Sequence, residues 1–296
     1  MKIRSRGDQW FVAFNVFLML AVVVLTLAPF WFALVGSLNQ GVDYMRGGVY
    51  LWPRESTLAN YRSIFADNTI YHAYFITVSR SLIGTTLHVA FTALVAYGMS
   101  RKALAGRNVY LIIMLFTMFF YGGLIPTYLL YKQLGLLNNF LVYIVPTMFS
   151  VWDMIIIMSF FRTIPESIVE SAKIDGAGEY RIFLQLVLPL TKPVLAAIAL
   201  FNCVYHWNAY TDALFFTTKD YLEPVQLFLK RIVTDASVAQ KFGEQVAGNM
   251  PEEAKQISSE TLKLAMMMAA TAPILIVYPF LQRFFVKGVL IGSVKG

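Results

Sequence analysis

A chain of 296 residues that is 58% hydrophobic and 14% charged, with a mean hydropathy of +0.61, carries too little polar surface to cover a water-soluble globule. Its net charge of +7 would suit nucleic acid, but the basic residues flank long apolar runs, where anionic lipid is the nearer partner, so nucleic-acid binding is excluded. The single cysteine, Cys203, rules out an intrachain disulfide.

The first apolar run, Gln9 to Val42, contains no Asp, Glu, Lys or Arg. Lys2, Arg4 and Arg6 precede it as they would in a secretory signal, but the run is too long and no small-x-small cleavage site ends it, so it reads as a retained anchor. A loop over about residues 37–69 follows, with Pro53, Tyr61 and Phe65 in an amphipathic patch. Ser81 to Ser100 and Asn108 to Tyr131 are again free of charge, and Phe140 to Phe161 is interrupted only by Asp153. Pro193 to Thr211 and Leu264 to Gln282 complete six spans, each near the roughly 20 residues that cross a bilayer core. Unpaired backbone amides are too costly in lipid for anything but helices at these lengths, so the expected fold class is an all-α integral membrane protein with six transmembrane helices in one domain, residues 1–296. The second long outer loop, about residues 216–260, holds an expected surface helix from Glu223 to Thr234 and a polar stretch, Lys241 to Glu260.

The spans sort the charges onto two sides. The N-terminal tail, the loop with Arg101, Lys102 and Arg107, the segment 162–192 and the C-terminal tail carry 13 basic and 5 acidic residues; the other loops carry 9 and 10. By the positive-inside rule both termini are expected in the cytoplasm of a bacterial inner membrane. No G-x-x-x-x-G-K-[S/T] phosphate loop occurs, and His72, His88 and His206 are scattered without metal-ligand spacing. No catalytic residue, metal ligand or cofactor of this chain is expected.

The segment from Arg162 to Thr191 is far longer than the roughly two to eight residues that a plain helix connection needs. Helix formers interrupted by Gly176, Gly178, Pro189 and Pro193 predict a short helix, a glycine turn and a second helix returning to the membrane. Within it, Glu170, Ser171 and Ala172, then Gly176, then Leu186, Leu188 and Pro189 follow the pattern E-A-A, three residues, G, nine residues, I-x-L-P, with Ser for the middle Ala and Leu for Ile. Asp175 to Ala177 and Leu188 to Pro193 match the longer form with D-G-A and L-P-L-x-x-P. On these residues the chain resembles the permeases of ABC importers, and PRESTLANYRSIF (Pro53 to Phe65), AYGMSR (Ala96 to Arg101), Trp207-Asn208 and the tail from Val277 to Gly296 extend the resemblance to the maltose-type sugar-permease branch over nearly the whole chain.

The resemblance implies a type I permease fold and a coupling helix, with Glu170, Ser171, Ala172, Asp175, Gly176 and Ala177 docking into an ATPase subunit. It also implies a second permease, two ATPase subunits that bind ATP and Mg, an extracytoplasmic solute-binding protein and an oligosaccharide as partners. Pro251 to Lys263 together with YPFLQRFFVKG is similar to the subgroup importing breakdown products of complex polysaccharides, alginate and other uronates included. From the residues themselves, the polar groups tolerated in the spans mark a candidate substrate path: Arg80, Asp153, Tyr205, His206, Trp207, Asn208 and Asp212. Tyr205 and Trp207 beside Asn208 offer aromatic faces and hydrogen bonds to a pyranose, and Arg80 or His206 could meet carboxylates. The opposing reading of these positions is structural, with Asp153 paired to a neighbouring helix and Arg80 and Asp212 reaching for the outer interface. A secondary transporter or channel without an ATPase remains the alternative function; it predicts inverted repeats and charge-lined spans, which the sequence lacks.

Overall fold

Charge-free runs of this length have nowhere to place their amides except in helices, and the computed structural model, which describes residues 6–234 and 257–293, is helical with no strand among the described residues. One isolated bridge pairs Asn39 with Ser56. Three helices are long and apolar enough to cross a membrane, and three bent helix pairs raise the number of candidate spans to as many as six. The unbroken ones are α1 (Arg6–Ser37), α3 (Asn68–Ser100) and the last helix, Ser259–Ser293. The apolar window of α1 is not buried within the protein at all, as suits a helix whose neighbour is lipid or another subunit.

The expected single span over Asn108 to Tyr131 is made by two helices, α4 (Arg107–Phe119) and α5 (Leu124–Gln133), bent by 115°. The break falls at Gly122-Gly123, where Gly123 takes a φ of +88° that only glycine adopts without strain. The span over Phe140 to Phe161 opens as 3₁₀ turns, bends by 48° and continues as α6 (Val151–Phe161). Ser150 caps α6, its Oγ accepting the Asp153 amide at 3.2 Å. Asp153 therefore stands in a first helical turn rather than deep inside a continuous helix, as the sequence suggested.

Beyond α7 (Glu166–Ile174) and α8 (Glu179–Ile182), the chain passes through a π turn, Phe183–Val187, and a short turn, Leu188–Leu190. It then bends by 80° into α9 (Lys192–Asn208). Pro193 sits in the first turn of α9, where its missing N–H costs nothing. The outer segment adds α10 (Thr211–Phe216) and α11 (Val225–Thr234), and Ser259–Ser293 is α12. The expected surface helix over Glu223 to Thr234 is α11, with Val225 and Leu227 turned inward.

The chain forms two compact units. The first, up to Ile70 and from Leu229 to Ala272, is closed by a buried amide. Asn60, on α2 (Ala59–Ala66), donates to the carbonyls of Ser37 and Asn39 at 2.8 and 3.1 Å and accepts from Thr261 Oγ1 at 2.9 Å, tying the end of α1 to the start of α12. The second, Tyr71 to Phe228 with Pro273 onward, packs Ala93, Ala96 and Tyr97 of α3 against Met154, Ile157 and Phe161 of α6 and Ile182, Phe183 and Val187. Lipid is as apolar as leucine and gives no hydrophobic drive between helices, so small residues such as Ala93 and Ala96, which let backbones approach, matter more there than bulk.

Candidate functional site

The segment between α6 and α9 is built from local signals. Pro165 precedes α7, Glu166 stands in its first turn and Lys173 in its last, each sign matching the helix dipole. The end of α7 is a Schellman motif: the Ala177 amide donates to the Ala172 carbonyl at 2.9 Å and the Gly176 amide to the Lys173 carbonyl at 3.0 Å, with Gly176 at φ +79°. A Cβ at Gly176 would meet nothing within 4 Å, so glycine is required there by backbone conformation and not by crowding.

Val169 is buried, and Ala172 and Ala177 pack on the same interior. The small residues of the motif thus seat α7 on its own protein. The opposite surface presents Glu170, Ser171, Ile174 and Asp175. Ile174 is 86% exposed and Tyr180 is 77% exposed, while Glu170 and Asp175 make no ion pair among the described residues. Lys173 pairs with Glu179 at 2.6 Å, and Glu179 accepts the Tyr97 hydroxyl, so the turn is anchored to the end of α3.

The polar residues of the spans fall into separate groups. Arg80 is fully buried; its guanidinium forms a fork with Asp212, donates to the Ala209 carbonyl at 3.2 Å and lies 4.4 Å over the Tyr143 ring. The two charges that the sequence placed on the path, or at the outer interface, are each other's partners. Asp212 belongs to α10, separated from α9 by a break at Ala209, and not to the end of one continuous fifth span.

Asp153 pairs with His88, whose Nε2 lies 2.9 Å from Asp153 Oδ2 and whose Nδ1 lies 2.8 Å from the Thr147 carbonyl oxygen. These residues, with Asn202 and Tyr205, line a cavity of about 330 Å³. Asn202 Oδ1 is buried there with no hydrogen-bond partner, and Tyr205 is 53% exposed. His206 does not line this cavity: it is fully buried with its Nε2 3.5 Å from Thr147 Oγ1, and a Cβ at Gly84 would stand 2.4 Å from that nitrogen, so it serves as the close contact between α3 and α9. Trp207 is buried against Tyr74 and lines a second, apolar cavity with Cys203 and Leu200. The Asn208 amide bonds back to the Val204 carbonyl at 3.0 Å.

Trp207, read from the sequence with Asn208 and nearby Tyr205 as a group suited to a sugar, does not line the same cavity as Tyr205. His88, Thr147 and Asn202 were missed. An ionisable residue in the charge-free second span was the available signal for His88; nothing in the sequence distinguishes Asn202 or Thr147.

Residues 89–291 match the sequence profile of the binding-protein-dependent transport system inner membrane components. The chain is 38% identical over 279 residues to a polygalacturonan/rhamnogalacturonan transport system permease protein of Bacillus subtilis (strain 168), covering 94% of this chain and 96% of the relative. It is 35% identical to protein LplC of the same organism, over 99% and 97% of the two chains. It also superimposes with a TM-score of 0.89, at 28% identity over 96% of its length, on a complete chain in the crystal structure of a bacterial ABC transporter involved in the import of the acidic polysaccharide alginate.

Proposed function

The chain belongs to the family of binding-protein-dependent transport system inner membrane components, and from that premise we propose that it is the permease half of an importer that takes up acidic oligosaccharides. In this reading the chain itself hydrolyses nothing. A second permease completes the translocation path, two ATPase subunits bind ATP and Mg, and an extracytoplasmic binding protein delivers the sugar. The observation that carries the reading is the α7 surface, where a well-capped helix seated on its own core turns Ile174, Glu170 and Asp175 outward with nothing to cover them among the described residues. Exposed aliphatic and acidic groups on a rigid helix suit a protein partner better than solvent. The acidic substrate class is supported by the polygalacturonan and alginate transporters to which the chain is similar.

The substrate path is assigned to the His88, Asp153, Asn202 and Tyr205 cavity, with Arg80 and Asp212 holding the helices that form it. His206, Trp207 and Asn208 are assigned supporting places on α9. In the reconstituted complex, Tyr205→Ala is expected to lower the ATPase rate stimulated by loaded binding protein roughly tenfold, the scale of one lost aromatic contact, with basal hydrolysis retained. Stimulation equal to wild type would remove Tyr205 from the path. Galacturonate or uronate oligomers should stimulate where neutral oligomers of equal length do not; a preference for the neutral ones overturns the substrate class.

The sidedness follows from the loop charges. In a Cys203→Ser background, Lys173→Cys is expected to stay unlabelled by an impermeant thiol reagent in spheroplasts, while Tyr221→Cys, which is 55% exposed in the wild-type residue, reacts. The reverse pattern would invert the topology. The C-terminal tail, Lys287 to Gly296, is proposed to reach toward the ATPases; its side chains lie outside the described residues, as do most of Lys241 to Glu260 and the first six residues of Pro251 to Lys263.

A further inference from the structure

A cleft of about 470 Å³ opens where α3 and α6 end and α4 begins, at the level of α7, and four basic side chains line it: Arg101, Lys102, Arg107 and Arg162. Two of them are engaged. Lys102 bonds Glu166 at 2.9 Å and holds that carboxyl below its usual range, and Arg101 is shared between the Tyr97 hydroxyl and Glu179. Arg107 and Arg162 have no carboxylate at ion-pair distance among the described residues. The Arg107 Nε is buried without a hydrogen-bond partner, and Arg162 bonds the Met158 sulfur at 3.1 Å, a weak acceptor. The cleft floor is apolar, made by Phe161, Ile164 and Val187.

From this we infer that the cleft binds the phosphate of an anionic ligand, whose source is either the head group of a membrane phospholipid or a soluble phosphate. A tetrahedral phosphate accepts from two guanidinium forks at once, which a lone carboxylate or chloride does less well. The floor gives the carbon beside a phosphodiester an apolar seat, and the lipid source fits a cleft at the ends of spanning helices, where the cytoplasmic leaflet is anionic. The inference rests on the membrane orientation proposed above. The thiol-labelling pattern decides that orientation separately, so the two can fail independently.

The test uses the assembled transporter in nanodiscs of phosphatidylcholine with phosphatidylglycerol, followed by mass spectrometry of the lipids that remain bound after mild detergent extraction. Wild type is expected to retain phosphatidylglycerol selectively, and the Arg107→Gln/Arg162→Gln variant to lose that selectivity on the order of tenfold or more. Lys132→Gln, an exposed lysine at the end of α5 outside the cleft, should retain it. In discs of phosphatidylcholine alone, inorganic phosphate is titrated calorimetrically onto wild type and variant, and only the difference between them counts, because the ATPase subunits bind phosphate themselves. Lipid selectivity lost in the variant identifies the lipid source; a phosphate heat lost in the variant without lipid selectivity identifies the soluble one. If neither measurement separates variant from wild type in intact complexes, the inference is wrong.

Discussion

Asp212→Leu is expected to be the most damaging single change in the membrane part of this permease, and Arg80→Met the second. Arg80 is fully buried with its guanidinium on Asp212, whose side chain is 17% exposed. Removing either partner leaves a charge stranded, at a cost of roughly 3–5 kcal/mol. The order follows from the chemistry of the survivor. A carboxylate left alone at a site that water reaches can be hydrated there, whereas the Arg80 guanidinium keeps its charge and has no exposure. The Arg80→Met/Asp212→Leu double variant removes both charges and is expected to recover more than half of the loss of the worse single variant, since an apolar pair of similar volume replaces a buried ion pair at little cost. Thermal unfolding of the detergent-purified complex gives the three shifts directly. A double variant no more stable than Asp212→Leu alone would show that the pair is not a unit.

Ile174→Asp is expected to have the largest effect on transport with the smallest on folding. The wild-type side chain is 86% exposed, so the substitution disturbs no interior, and the Schellman motif that ends α7 is made by backbone groups that it leaves in place. If α7 docks into an ATPase subunit, the change puts a charge into the centre of that contact, and truncation or desolvation at such a centre costs about 2–4 kcal/mol. The ATPase subunits should then co-purify with the variant at a small fraction of the wild-type yield, and uptake should fall at least about thirtyfold at equal permease expression. Wild-type co-purification and uptake would remove α7 from the coupling surface. Gly176→Ala is a less selective probe, because it strains the left-handed turn by roughly 1–2 kcal/mol before any partner is met.

The segment between α6 and α9 was legible because its signals are local. A helix start at Pro165 and Glu166, a stop at Gly176 and a restart at Glu179 are decided by residues within one or two turns of each other. The spans were legible in number, because absence of charge over a bilayer's thickness needs no tertiary knowledge, but less so in shape. The charge-free run from Ser81 to Ser100 is the second part of a helix that begins at Asn68, and Arg80 stands inside that helix, as its reading among the polar groups of the spans requires. Gly122-Gly123 announced the sharpest bend, yet hydropathy alone runs through it. The pairings were out of reach. Arg80 and Asp212 lie 132 residues apart, and His88 and Asp153 65, and which faces of which helices meet is set by packing rotations that hydropathy, in an all-apolar setting, does not encode. Trp207 with Asn208 and nearby Tyr205 were grouped by sequence proximity, although the two-residue spacing turns Tyr205 and Trp207 to different sides of α9.

The π turn at Phe183–Val187 lies between the surface that α7 offers and the span that α9 forms. Such a turn houses one residue more than an α-helix would in the same rise. That residue is slack held in the thread of a screw: winding it into α geometry would rotate everything downstream by about 100° and change the length by about 1.5 Å. The chain turns by 80° before α9 begins, so the slack lies about an axis that is not α9's own, and taking it up would swing that span sideways instead of spinning it.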